Sequence, residues 1–160
     1  MNRRQFLVAV PTTVSLLSGC LGSRPSCTDE SDWPPSVDVE ALELVPGDSG
    51  EFEIQVDGIT SFQFDWGLYP CGRNIPVRFE DIDISPSIDS QADPCPPIWI
   101  WENCTRVTVS VTVHVAPDAD PGTYDYGFQI AEDIGERNSQ DYEYAITVAE
   151  NDSVGTLGSR

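Results

Sequence analysis

Lysine is absent from this 160-residue chain, and all 8 basic side chains are arginines set against 27 acids. Histidine and methionine occur once each, as His114 and Met1. Each shortage removes a class of function. Without lysine there is no amine for Schiff-base chemistry. With a lone histidine and an initiator methionine, the ligand set of a blue-copper centre cannot be assembled. A net charge of −19 leaves no basic footprint, so nucleic acid is excluded as a partner. The five cysteines include no close C-x-x-C knuckles, which a four-cysteine zinc site needs. Long apolar runs are missing too: the one near the N-terminus is broken by Pro11, Thr12 and Thr13 and is too short to span a bilayer. No helical period competes anywhere with the pattern that follows.

That pattern is alternation. Val107, Val109, Val111, Val113 and Val115 alternate with Thr108, Ser110, Thr112 and His114, which makes a strand with one apolar and one polar face. A Pro/Asp/Gly turn leads into a second strand with Tyr124, Tyr126, Phe128 and Ile130 in phase. Upstream, Val37 and Val39 change phase to Leu42 and Leu44. Phe52, Ile54 and Val56 form the next strand, and Asp57-Gly58 is a hairpin signal. Phe62, Phe64, Trp66 and Leu68 form a third strand. Ile75, Val77 and Phe79 form a fourth, which shifts phase to Ile82 and Ile84 through a bulge. Residues 85–104 read as a long Pro/Asp/Cys-rich loop, and Tyr142, Tyr144, Ile146 and Val148 close the series as a seventh strand. Short alternating strands separated by turns predict an all-β, immunoglobulin-like antiparallel sandwich over 36–149, with a small Greek-key barrel as the alternative. Residues 150–160 read as a disordered tail.

The acid excess would strain a compact fold by self-repulsion. In molar salt the Debye length falls to about 3 Å and the repulsion is screened, so the composition resembles that of a halophilic archaeon. The N-terminal segment carries a paired-arginine region, a short apolar run and small residues before Cys20, the pattern of an export signal over 1–19. Arg3-Arg4-Gln5-Phe6-Leu7 resembles the twin-arginine motif, although Asn2 stands where Ser or Thr is commoner. Leu17-Ser18-Gly19-Cys20 resembles a lipobox. Together they resemble a haloarchaeal twin-arginine lipoprotein signal. The resemblance implies lipid on Cys20, export of a folded domain, and a membrane-anchored position outside the cell, with 20–35 as a short tether. The segment Val115-Ala116-Pro117-Asp118-Ala119-Asp120-Pro121-Gly122-Thr123-Tyr124 is similar to the strand–turn–strand of Ig-like modules in prokaryotic surface proteins, in which Tyr124 would be a corner tyrosine.

With Cys20 assigned to lipid, Cys27, Cys71, Cys95 and Cys104 remain for two disulfides, with three pairings open. Cys95 with Cys104 is the local choice, and Cys27 would then reach Cys71. Candidates for function are few. Ile98-Trp99-Ile100-Trp101, if extended, puts both indoles on one side, where they could stack on sugar rings or anchor a protein partner; the alternative is that the four fold over the sandwich end as satellite core. Asn103-Cys104-Thr105 and Asn151-Asp152-Ser153 match the N-glycosylation acceptor pattern at Asn103 and Asn151. Asp81 with Asp83, and Asp118 with Asp120, have the residue types of a two-carboxylate hydrolase or a calcium site, but in so acidic a chain such pairs arise by composition. His114 on a polar strand face reads as a surface residue. The expected function is a non-catalytic, membrane-anchored interaction or cell-envelope module with no cofactor or metal. Carbohydrate capture by Trp99 and Trp101 is the alternative.

Overall fold

The computed structural model describes Cys27, residues 33–132 and residues 138–150. The export signal, Cys20, most of the tether before Trp33, Asn151 and the tail lie outside the described residues. Eight strands follow in chain order: β1 Val37–Val39, β2 Leu42–Leu44, β3 Ser49–Phe64, β4 Val77–Ser85, β5 Ser90–Ala92, β6 Ile98–Val115, β7 Gly122–Ala131 and β8 Ser139–Val148.

Two long antiparallel strands, β3 and β6, organise the fold. Their outer halves pair from Ser49↔His114 to Val56↔Val107, flanked by β1 on one side and β4 on the other. Their remaining halves pair from Ser61↔Ile100 to Gln63↔Ile98, flanked by β7, β8 and β2 on one side and by β5 on the other. Between these halves the register jumps twice, at Val56/Ile59 and Ile59/Ser61, so both strands pass from one layer of the molecule into the other. The layers face each other across an aromatic core. Phe52 of the first lies 5.3 Å from Tyr126 of the second, and Phe79 lies 4.9 Å from Phe64. The protein is an all-β, immunoglobulin-like sandwich.

The five valines from Val107 to Val115 are all 0% exposed, as their alternation requires. Burying a side chain of this size contributes roughly 1.5–3 kcal/mol relative to leaving it in water. The phase change between Val39 and Leu42 has a structural cause: β1 joins β3 in the first layer, and β2 runs parallel to β8 in the second. The expected bulge in β4 falls between Phe79 and Asp81.

Several expectations are corrected. Asp57-Gly58 makes no hairpin; Gly58, at φ 68°, takes the left-handed conformation of a bulge residue and the strand continues. The third strand ends at Phe64, leaving Trp66 in a loop. The turn after Val115 carries the chain from one layer to the other: β6 bonds to β3, β4 and β5, whereas β7 bonds to β3 and β8. The region 85–104 is not a loop throughout, since it holds β5 and the start of β6.

The four cysteines form two disulfides, with a different pairing from the local one: Cys27–Cys104 and Cys71–Cys95. β6 is already extended from Ile98, so up to roughly 20 Å of strand lies between Ile98 and Cys104, whereas a disulfide needs Cα atoms within about 7 Å.

Candidate functional site

Trp99 and Trp101 are core residues, 6% and 2% exposed. Trp99 pairs with Phe62 in the ladder and packs 6.0 Å from the rings of Phe62 and Phe64, while Trp101 Nε1 donates to the carbonyl of Pro86 at 3.3 Å. The alternation of Ile98-Trp99-Ile100-Trp101 therefore turns the indoles inward and leaves the isoleucines half-buried. This corrects the expectation that the two tryptophans anchor a ligand, because neither presents a ring face to solvent. Asn103 is exposed on the excursion of β6 beside Cys104. His114 lies on the outward face of the first layer, where its Nδ1 and the Ser49 hydroxyl are hydrogen-bonded at 3.1 Å. Asp81 and Asp83 point outward from β4, and Asp118 and Asp120 are exposed in the turn before β7. Among the described residues, no group of three or more His, Cys, Asp or Glu side chains is arranged so that it could hold a metal ion.

The outward face of the first layer is flat and polar. Thr108, Ser110 and Thr112 of β6 run down its centre, with Glu51 and Glu53 on one side and Asp81 and Asp83 on the other. Ser110 and Thr112 donate to Glu53 and Glu51 at 3.3 Å. At the bend, Arg106 pairs with Asp57 through both carboxylate oxygens. The guanidinium holds the Asp57 carboxyl below its ordinary range, and the carboxylate raises Arg106 in turn. Both groups are solvent-exposed, so their pairing adds little to stability. A shallow groove of about 360 Å³ runs beside this pair, lined by Ser36, Val37, Asp38, Gln55, Val56 and their neighbours.

The second surface is built around a residue that sequence reasoning placed in a strand. Trp66 is 59% exposed and is the exposed large hydrophobic side chain among the described residues. Its loop is wired at both ends. Asp65 Oδ1 accepts the Gly67 N–H at 2.8 Å, an Asx-type turn that projects the intervening indole outward. Arg73 Nη2 reaches back to the carbonyls of Trp66, Gly67 and Tyr69, and its guanidinium carbon lies 5.8 Å from the Trp66 ring centroid. Asp65 N–H bonds to Gly127, and Phe79 N–H to the carbonyl of Leu68, whose side chain is buried. Cys71–Cys95 ties the far end of the loop to the segment entering β6. Alternation with Phe62, Phe64 and Leu68 hid this loop in the sequence. The signal that marks it is Asp65-Trp66-Gly67, a turn-forming Asp two residues before a Gly.

Tyr124 is a corner tyrosine: its hydroxyl donates to the carbonyl of Asp120 at 2.8 Å, four residues upstream.

No family model matches the chain, and no curated protein matches it. Solved structures do. A family 123 glycoside hydrolase from Clostridium perfringens is 11% identical over 72% of this chain, with a TM-score of 0.37; the chain spans 27% of that protein. The self-complemented major subunit of Myf fimbriae from Yersinia enterocolitica is 17% identical over 72% of this chain and 99% of its own, with a TM-score of 0.44. A non-cellulosomal cohesin from the archaeon Archaeoglobus fulgidus is 13% identical over 72% of this chain and 84% of its own, with a TM-score of 0.36. The fold assignment rests on the strand order and the facing layers rather than on these similarities.

Proposed function

We propose that this chain is a membrane-anchored, extracytoplasmic Ig-like domain that works as a non-catalytic protein-interaction or cell-envelope module. The observation that carries the reading is the contrast between a filled interior and an exposed loop held in place. Aromatic and valine side chains occupy the space between the layers, while Trp66 is held outward by a turn, an arginine and a disulfide. Groups fixed in place before contact lose little entropy on binding, which is what a recognition surface needs. Two disulfides suit a domain that resides in an oxidising compartment. The twin-arginine and lipobox resemblances supply the rest: export, and attachment through lipid on Cys20. Asn103 and Asn151 are proposed as glycan acceptors on that exposed chain.

Cross-linking mass spectrometry on native envelopes in molar salt tests the proposal, comparing wild type with Trp66→Ala. A reproducible partner that disappears in the variant is the expected result. An unmodified, uncleaved N-terminus in the same spectra would overturn the anchor. No partner and no ligand in either strain would overturn the interaction module.

A further inference from the structure

We infer that Trp66 and Arg73 form one anchor point for an acidic segment of a protein partner, in which a carboxylate lies two residues from an aromatic or aliphatic side chain. The inference rests on the interaction reading above and names the partner's chemistry.

Arg73 carries the argument. Its side chain is exposed, and its Nη2 is spent on the carbonyls of Trp66, Gly67 and Tyr69. Those bonds fix the guanidinium beside the indole without neutralising it. No carboxylate among the described residues pairs with Arg73, although the chain has 27 acids. Asp65, at the base of the same loop, accepts the Gly67 N–H and lies over Gly127 of β7. Arg106, by contrast, is paired with Asp57. Arg73 therefore keeps the donors of Nη1 and Nε for an outside group, and the strongest acceptor for a charged donor is a carboxylate.

The indole adds the second half. Trp66 is 59% exposed, and its ring centroid lies 5.8 Å from the guanidinium carbon. The occupant must bring an anionic group and an apolar surface that close together. In an extended chain, residues i and i+2 project to one side about 6.8 Å apart, which matches this spacing. Tryptophan and arginine are also the side chains that concentrate binding energy at protein interfaces, above all when held in place before contact.

A polyanion matches less well. Nucleic acids and polyuronates repeat their charge and call for a run of cations. The chain has no lysine, and the other arginines among the described residues stand elsewhere: Arg78 opposite His114 on the first layer, Arg106 engaged at the bend. In molar salt, charge is screened beyond about 3 Å. The net charge of −19 then does little to keep an acidic partner away, while a carboxylate in contact with Arg73 is still held.

The test uses the full domain, labelled with 5-fluorotryptophan, in molar potassium chloride. The probes are the end-blocked peptides Gly-Glu-Thr-Phe-Gly and Gly-Phe-Thr-Glu-Gly, their Gln counterparts, and tetragalacturonate, titrated by fluorine NMR and calorimetry. At least one Glu peptide should shift the Trp66 resonance and bind about ten-fold or more tighter than its Gln counterpart, equivalent to about 1.4 kcal/mol. Trp66→Ala should weaken both members of that pair. Arg73→Ala should erase the preference for Glu; a merely loosened loop would weaken both peptides alike and leave the preference in place. Thermal denaturation shows that both variants keep the fold. Four results would overturn the inference: no binding by either Glu peptide, equal binding of Glu and Gln forms, a preference that survives Arg73→Ala, or tighter binding of tetragalacturonate. A protein cross-link lost in Trp66→Ala, with no preference for Glu peptides, would overturn the acidic motif and leave the interaction module standing.

Discussion

Gly127 is the position where the smallest change should report the most. A methyl group added there would lie 2.8 Å from Asp65 Oδ2, 3.3 Å from Asp65 Cγ and 3.1 Å from the Tyr142 carbonyl. Contacts that short do not persist, so one side must give. The Tyr142 carbonyl belongs to the β7–β8 ladder, where Phe128 pairs with Tyr142. The Asp65 side chain is the softer partner. Displacing it breaks the 2.8 Å bond from Gly67 N–H that forms the turn under Trp66. A hydrogen bond to a charged group contributes about 1.5–3 kcal/mol at most, less where exposed. Residual overpacking against β8 adds about 1 kcal/mol. Replacing a glycine recovers about 0.4–1 kcal/mol from the unfolded chain. Gly127→Ala should therefore destabilise the domain by about 1–2 kcal/mol. The assay is a double-mutant cycle in urea with Asp65→Ala, which removes the group that clashes. The reasoning requires the two losses to fall short of additive by at least about 0.5 kcal/mol. It also requires faster proteolytic nicking between Asp65 and Arg73 in each single variant. Additive losses, or a Gly127→Ala domain as stable as wild type, would refute it.

Three further outcomes are expected. Burial, then the neighbouring Tyr144, raises Tyr126 well above its ordinary value of 10.0, so the unfolded chain ionises there before the folded one. Stability should hold below pH 10 and fall above it, and Tyr126→Phe should flatten that fall by about 1.36 kcal/mol per pH unit; an unchanged slope in denaturation curves would show that the phenol titrates alike in both states. Cys27–Cys104 closes a separation of 77 residues and Cys71–Cys95 one of 24, so in the chain-entropy account their removal costs about 4.5 and about 3.4 kcal/mol. Paired serine variants measured by chemical denaturation should keep that order, and a reversed order would point to native contacts instead. Tyr124→Phe should lose about 1 kcal/mol through the missing bond to Asp120, and a neutral result would deny the corner its role.

The layers were legible because the inner face of each strand is chosen by water, and that choice writes a period of two into Val107–Val115 and Tyr124–Ile130. The phase changes at Val39/Leu42 and Phe79/Ile82 were also visible, and each marks a place where a strand changes layer or bulges. Chain path was harder. Asp57-Gly58 favours a turn locally, yet β6 makes its own excursion opposite and the ladder resumes, a decision taken by a partner fifty residues away. Alternation also cannot say which face is wet. Trp66 and Trp99 both sit in regular apolar sequences, and only the end of pairing at Phe64 separates the exposed one from the buried one. The disulfides followed strand extension rather than sequence proximity, so spacing alone misled.

The bond between Cys27 and Cys104 has a mechanical meaning as well. Tension applied upstream of Cys27 would otherwise reach the fold at β1, three residues whose ladder partner among the described residues is β3. Strands loaded at one end of a single ladder unzip, one hydrogen bond at a time. The disulfide moves the point of loading to Cys104, inside an 18-residue strand paired with β3, β4 and β5. Dislodging that strand means shearing several ladders together. Under such tension the oxidised domain would take the load through β6, and the reduced one would open at β1 first.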